Sequence, residues 1–224
     1  MSRRVPLPPP PPPAEIRAWP DRESLLADRA KAMTELHRRS IDPKRLVLLW
    51  LTAAGFAVGW VFFESLLRVV AEDGDLFSVL FGAIAGLLGV GCMIPTGLVV
   101  GLGIARDAEI RQRLWQWTAL EWDPVRDTRF GSPVLSLVWF IPSFLLCASG
   151  LWLSFAVPAD AKPGQDTPAD VALLMGLGFI MWLTGLIGAA KAVSHYRWAV
   201  RLVAAGSAAG TRQQYATAQG GAHR

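Results

Sequence analysis

Apolar and polar residues fall in long blocks along this chain rather than alternating residue by residue. Four apolar blocks have membrane length: 46–70, 76–105, 133–157 and 171–190. A hydrocarbon core of ~30 Å takes about 20 residues at helical rise. Each block therefore predicts a spanning helix. The expected fold class is all-α: an integral membrane bundle of four transmembrane helices with both termini cytoplasmic and short amphipathic helices on that face. The helices form two hairpins, 46–105 and 133–190.

The second block is the unusual one. It runs without a charge from Leu76 to Ala105, which at 1.5 Å per residue is ~45 Å, more than a core needs. That predicts tilt, a break near Pro95, or an inner end beyond the lipid. In the third block Pro133 suits a helix start and Pro142 predicts a kink. Small residues four apart let membrane helices approach closely. Gly55 and Gly59, Gly82 and Gly86, and Gly97 and Gly101 have this spacing and are the candidate helix-packing positions. Their density makes the second block the expected most buried helix. Ser143, Cys147, Gly150 and Ser154 form a further small-residue stripe in the third block, and Gly178, Gly185 and Gly188 stand in the fourth.

The polar segments divide the rest. Residues 1–20 contain the consecutive run Pro8–Pro13. Proline fixes φ and removes a donor, so the segment reads as a stiff, disordered, solvated tail. Its functional alternative is a ligand for an aromatic-lined groove. Prolines stand where a signal peptide would need an apolar stretch. Residues 21–45 read as an amphipathic helix with Asp21 at its N-cap and Leu26, Ala30, Met33 and Leu36 along one face. It would rest on anionic lipid, in solvent, or on the Trp-rich segment that follows the second block.

That segment, 106–132, is expected as a cytoplasmic loop. It carries Arg106, Arg111, Arg113, Arg126 and Arg129, and Trp115, Trp117 and Trp122. Five carboxylates (Asp107, Glu109, Glu121, Asp123, Asp127) balance its arginines, so it is not a polybasic lipid clamp. Leu114, Trp115, Leu120 and Trp122 would line one side of a helix with indoles at headgroup level. The alternative is a docking surface, since Trp and Arg anchor interfaces. Trp115, Trp117, Trp122, Arg111 and Arg113 are the candidate interface residues. Residues 191–224 read as a basic helical continuation to about 206, then a disordered tail.

Charge sets the orientation. Of 22 Lys and Arg, ten precede residue 46, five lie in 106–132 and five in 191–224. The two intervening loops hold six carboxylates (Glu72, Asp73, Asp75, Asp160, Asp166, Asp170) and only Lys162. The positive-inside rule places both termini and the central segment in the cytoplasm and the acidic loops outside, with the cell membrane as the location. A faint internal echo, Asp42-Pro43-Lys44-Arg45 against Asp123-Pro124-Val125-Arg126, is compatible with a duplicated hairpin.

Candidate chemistry adds little. Ionisable groups at membrane depth mark functional sites, and the blocks contain only Glu64 and Arg68, four apart near one end. That spacing suits an ion pair at the interface. His37, His195 and His223 are dispersed without metal-ligand spacing, and no nucleotide-binding or hydrolase motif is present. No cofactor and no metal are expected, nor is nucleic acid a partner. Cys92 and Cys147 are expected at depths ~15 Å apart by helical rise, too far for a disulfide, and so free and packed. The expected function is a non-enzymatic structural or interaction subunit. Its partners would be the lipid bilayer, a cytoplasmic protein met through the proline-rich tail or the central segment, and a second copy of the chain. The alternative is a small oligomeric transporter or channel component.

Overall fold

A computed structural model describes residues 6–13, 15, 19–40, 42–71, 74–121, 134–162 and 167–221, the side chains of the last helix only as far as Arg201 and Ala204. The described residues contain helices and no strand. The helices are α1 (Arg22–Ser40), α2 (Pro43–Ala71), α3 (Leu76–Thr118), α4 (Val134–Asp160) and α5 (Pro168–Gly221). Four of them, α2 to α5, are long and apolar enough to cross a membrane. The all-α, multi-pass expectation therefore holds at that level.

Local chemistry explains the starts. The Ser24 amide donates to Asp21 Oδ1 at 2.7 Å, so Asp21 caps α1 as its position suggested. Pro43 opens α2, where a missing N–H costs nothing. Asp75 accepts from the Ser78 amide ahead of α3. Thr167 and Asp170 exchange bonds at the head of α5: the Thr167 hydroxyl donates to Asp170 Oδ2 at 2.7 Å, and the Asp170 amide donates back at 3.2 Å.

Two boundaries differ from the expectation. Helix α3 does not end near 105 but runs on to Thr118, so the first half of the expected loop 106–132 is helical. The cause is visible in the residues. No Gly or Pro interrupts 106–118, Glu109 pairs with Arg113 one turn on, and Ile110, Leu114 and Trp117 give a buried face at i, i+4, i+7. Pro95 leaves the helix continuous. Of the outcomes foreseen for 76–105, a break near Pro95 is not observed, and the helix runs on past Ala105. Helix α5 likewise continues through 191 to Gly221, beyond the expected stop near 206. The echo at Asp123–Arg126 lies outside the described residues.

The chain forms two compact units. The apolar unit comprises Pro43–Ala105 and Leu137–Ala192. In it α2 and α3 are zipped antiparallel along glycines. A Cβ on Gly59 would stand 2.8 Å from Gly89 O, and one on Gly89 would stand 2.5 Å from Gly59 O. The α4–α5 pair is zipped the same way: a Cβ on Gly150 would stand 2.6 Å from Gly178 O, and one on Gly185 would stand 2.5 Å from Ser143 O. In lipid, packing of this kind replaces the hydrophobic effect as the force between helices. The glycine density of 76–105 does not make all of it a packing face: a Cβ on Gly91, Gly101 or Gly103 of α3 would meet nothing among the described residues.

The polar unit comprises Met1–Asp42, Arg106–Ser136 and Val193–Arg224. It has its own core: Ala32, Met33 and Leu36 of α1, Ile110, Leu114 and Trp117 of α3, and Trp198 and Ala199 of α5, with Leu7 and Leu120 packed against it. Of the places foreseen for α1, the Trp-rich segment is the one it packs on.

Candidate functional site

Three arrangements in the described residues combine charge or hydrogen-bonding groups with defined geometry. The first is in the apolar unit. Arg68 donates to Glu64 Oε1 at 3.2 Å and to Asp170 Oδ1 at 2.6 Å. Glu64 is only 3% exposed. The pair one turn apart on α2 was legible from spacing, whereas Asp170 was not, because it arrives from a helix 102 residues away. Close by in sequence on both helices, Trp60 Nε1 donates to Leu173 O at 3.2 Å, and its ring lies where a side chain on Gly176 would be. Asp170 is also held by Thr167. One guanidinium thus bridges two carboxylates, and the cluster acts as a clasp between α2 and α5.

The second is a histidine pair in the polar unit. Ser136 Oγ lies 2.8 Å from His195 Nδ1, and His195 Nε2 lies 3.4 Å from His37 Nδ1. A serine donating to Nδ1 leaves the Nε2 proton for His37, which suits two neutral rings. Trp198 closes the group, its ring centroid 5.6 Å from that of His195 and 6.0 Å from that of His37. Burial holds both imidazoles below the usual histidine range, His195 down to about 4, where the charge of His37 adds to the effect. Sequence reading took these histidines as dispersed. They are 158 residues apart, and only the shared face of α1 and α5 joins them.

The third is the surface formed by α1 and the end of α3, which carries four of the five candidate interface residues. Trp117 is buried in the core, and its Nε1 donates to Pro9 O at 3.2 Å. Arg113 donates to Pro8 O and pairs with Glu109. Arg39 donates to Pro6 O at 3.1 Å and to Glu35 at 2.6 Å. The prolines are thus bound where a solvated tail was expected. Trp115 is 43% exposed, with the Arg201 guanidinium 5.3 Å from its ring centroid. Arg111 is half-buried. Trp122 lies outside the described residues. Arg29, fully buried, donates to Trp117 O at 3.2 Å. It shares the Trp117 carbonyl, in the last turn of α3, with the Leu120 amide and sets a positive charge at the negative helix end.

The candidate packing glycines divide. Gly55, Gly59, Gly82 and Gly86 lie on the α2–α3 seam, against Thr96, Met93 with Gly89, Val69 and Leu66 respectively. Gly97 has only Phe56 at 3.8 Å, and Gly101 meets nothing. Neither is a close contact that requires glycine. The stripe Ser143, Cys147, Gly150, Ser154 does pack, on Gly188, Gly185 and Gly178 of α5. Cys92 is exposed, against the expected burial, and Cys147 is half-buried; both are free.

Compared with known proteins, the chain matches no family, no curated protein and no solved structure.

Proposed function

We propose that the protein is a non-enzymatic interaction subunit of the cell membrane. It crosses four times, with both termini and the polar unit in the cytoplasm, and meets a cytoplasmic protein through that unit. The orientation rests on the lysine and arginine counts, 20 of 22 falling in the segments assigned to the inside. The observation that carries the function is the polar unit itself. An anchor alone does not require it, yet three segments distant in sequence build a separate core there, with Met33 and Leu36 fully buried. Its surface presents Trp115 beneath Arg201, the residue types that anchor interfaces.

The test is quantitative co-purification of the full chain in mild detergent, compared with Trp115→Ala/Arg111→Ala. A partner recovered in fixed ratio with the wild type and lost from the variant, with helix content unchanged, is the expected outcome. Equal recovery by both would overturn the assignment of this surface. Solute flux across vesicles holding the purified chain would instead support the transporter alternative.

A further inference from the structure

A proline has no N–H. The run Pro8–Pro13 therefore offers a partner only carbonyl oxygens and ring surface, and whatever holds it must supply donors and an apolar wall. The polar unit supplies both. Arg39 Nη1, Arg113 Nη1 and Trp117 Nε1 donate to the carbonyls of Pro6, Pro8 and Pro9, and Leu7 packs against the core. At three residues per turn and 3.1 Å rise, Pro6 and Pro9 share one edge of an extended proline helix, roughly 9 Å apart. Each donor also has a hold that does not involve the prolines: Glu35 pairs with Arg39, Glu109 pairs with Arg113, and the core packs on Trp117. An indole N–H beside cationic donors over an apolar floor is the chemistry by which grooves read proline-rich segments.

We propose that this α1–α3 groove is a polyproline-binding site whose resident ligand is the chain's own segment 6–13, and that a proline-rich segment supplied in trans exchanges with it. The inference deepens the reading above by naming a ligand class for the polar unit, and it rests on that reading only for its biological setting. A short tether gives the resident segment a millimolar effective concentration. The groove is therefore filled at rest, and a ligand in trans has to compete. Exchange uncovers the groove's occupant at the same moment, so one event presents both a filled receptor and a free proline run.

The test uses the full chain in mild detergent and, as probe, a fluorescent peptide with the sequence of residues 5–13, followed by anisotropy. Leu7→Asp removes the resident segment's apolar anchor. The peptide should bind this chain at least tenfold more tightly than the wild type. Replacing its prolines by alanine should abolish binding. Adding Arg39→Gln and Arg113→Gln should weaken binding at least tenfold without moving the thermal melt. If Leu7→Asp melts low, a chain with Pro8→Gly and Pro9→Gly, which keeps Leu7, takes its place. Binding to neither chain, equal binding to both, equal binding of the alanine peptide, or full binding after both arginine changes would each overturn the proposal. Purified chain and peptide suffice, so failure strikes the groove alone and leaves the co-purification result at Trp115 and Arg111 standing.

Discussion

His37 and His195 are kept neutral by burial, and that has a thermodynamic sign. The folded-state pKa of each lies below its ordinary value, that of His195 at about 4. Between that value and the unfolded pKa of about 6.5 the unfolded chain binds the extra proton, so stability is full above the window and falls as pH drops through it, by about 1.4 kcal/mol per unit for one group. Ser136 and Trp198 face the pair, and neither can offset a positive charge as a carboxylate would. The melting temperature in detergent should therefore fall between pH 7 and pH 5. In His37→Gln/His195→Gln the fall should be shallower, and an equal slope would place the acid sensitivity elsewhere. Ser143 is the opposite case. Its buried Oγ has no hydrogen-bond partner among the described residues and sits against Gly188. Ser143→Ala should leave the melt unchanged or raise stability by about 1 kcal/mol, because an unanswered hydroxyl costs more than a methyl.

Helices meet where backbone can touch backbone, and glycine spacing alone does not say where that is. Gly82/Gly86 and Gly97/Gly101 have the same spacing in the same helix, yet only at the first pair would an added side chain crowd a neighbour. Spacing fixes a face of one helix, whereas the partner's position at each height comes from the antiparallel register, in which Gly55 stands at Thr96 and Val69 at Gly82. The α4–α5 seam was half legible: the stripe from Ser143 to Ser154 was read as a packing face, but its glycine partners on α5 were not assigned. A helix start was legible where a cap marks it, as at Asp21, whereas the expected bounds 21–45 and 46–70 missed the boundary that Pro43 sets between α1 and α2. Helix ends were missed where apolar composition stops but helix-forming residues go on, as after Ala105. The consequence is a pair of opposite expectations. Gly185→Ala should cost about 1–3 kcal/mol through overpacking on backbone atoms. Gly101→Ala should be neutral or favourable, by up to about 1 kcal/mol of helix propensity. Thermal unfolding of both in one detergent decides, and equal losses would contradict the seam.

For the molecule as a whole, threading is the property that the charge pattern argues best and that labelling checks. In a chain with Cys92→Ala and Cys147→Ala, a cysteine at Ala71 or Gly164 should react with an impermeant thiol reagent added to intact cells, and one at Gln116 should not. Reaction at Gln116 would remove the four-span, positive-inside arrangement. The wild-type chain, denatured and alkylated without reductant, should carry two alkyl groups, as free Cys92 and Cys147 require. What sequence reading lacked at this scale was long-range pairing. Lys191 over Trp139, Arg68 on Asp170 and His37 on His195 all join positions that no local period connects.

The clasp at Arg68 has a consequence for biosynthesis. A chain enters the bilayer from its N-terminus. Glu64 and Arg68 are one turn apart, so they neutralise each other as soon as α2 is helical, and its apolar stretch 46–70 carries no net charge. Asp170 is made 102 residues later, when the first hairpin already stands in lipid. It then finds a guanidinium already in place with its second edge turned to the newcomer. Arg68→Gln takes away the early neutralisation and the late dock together. It should leave Glu64 uncompensated and cost about 1–3 kcal/mol, below the range for a fully buried pair because Arg68 is 38% exposed. Glu64→Gln/Arg68→Gln restores neutrality but not the dock. In a pulse-labelling experiment the double variant should therefore insert α2 at the wild-type rate and be slow only in gathering its last helix.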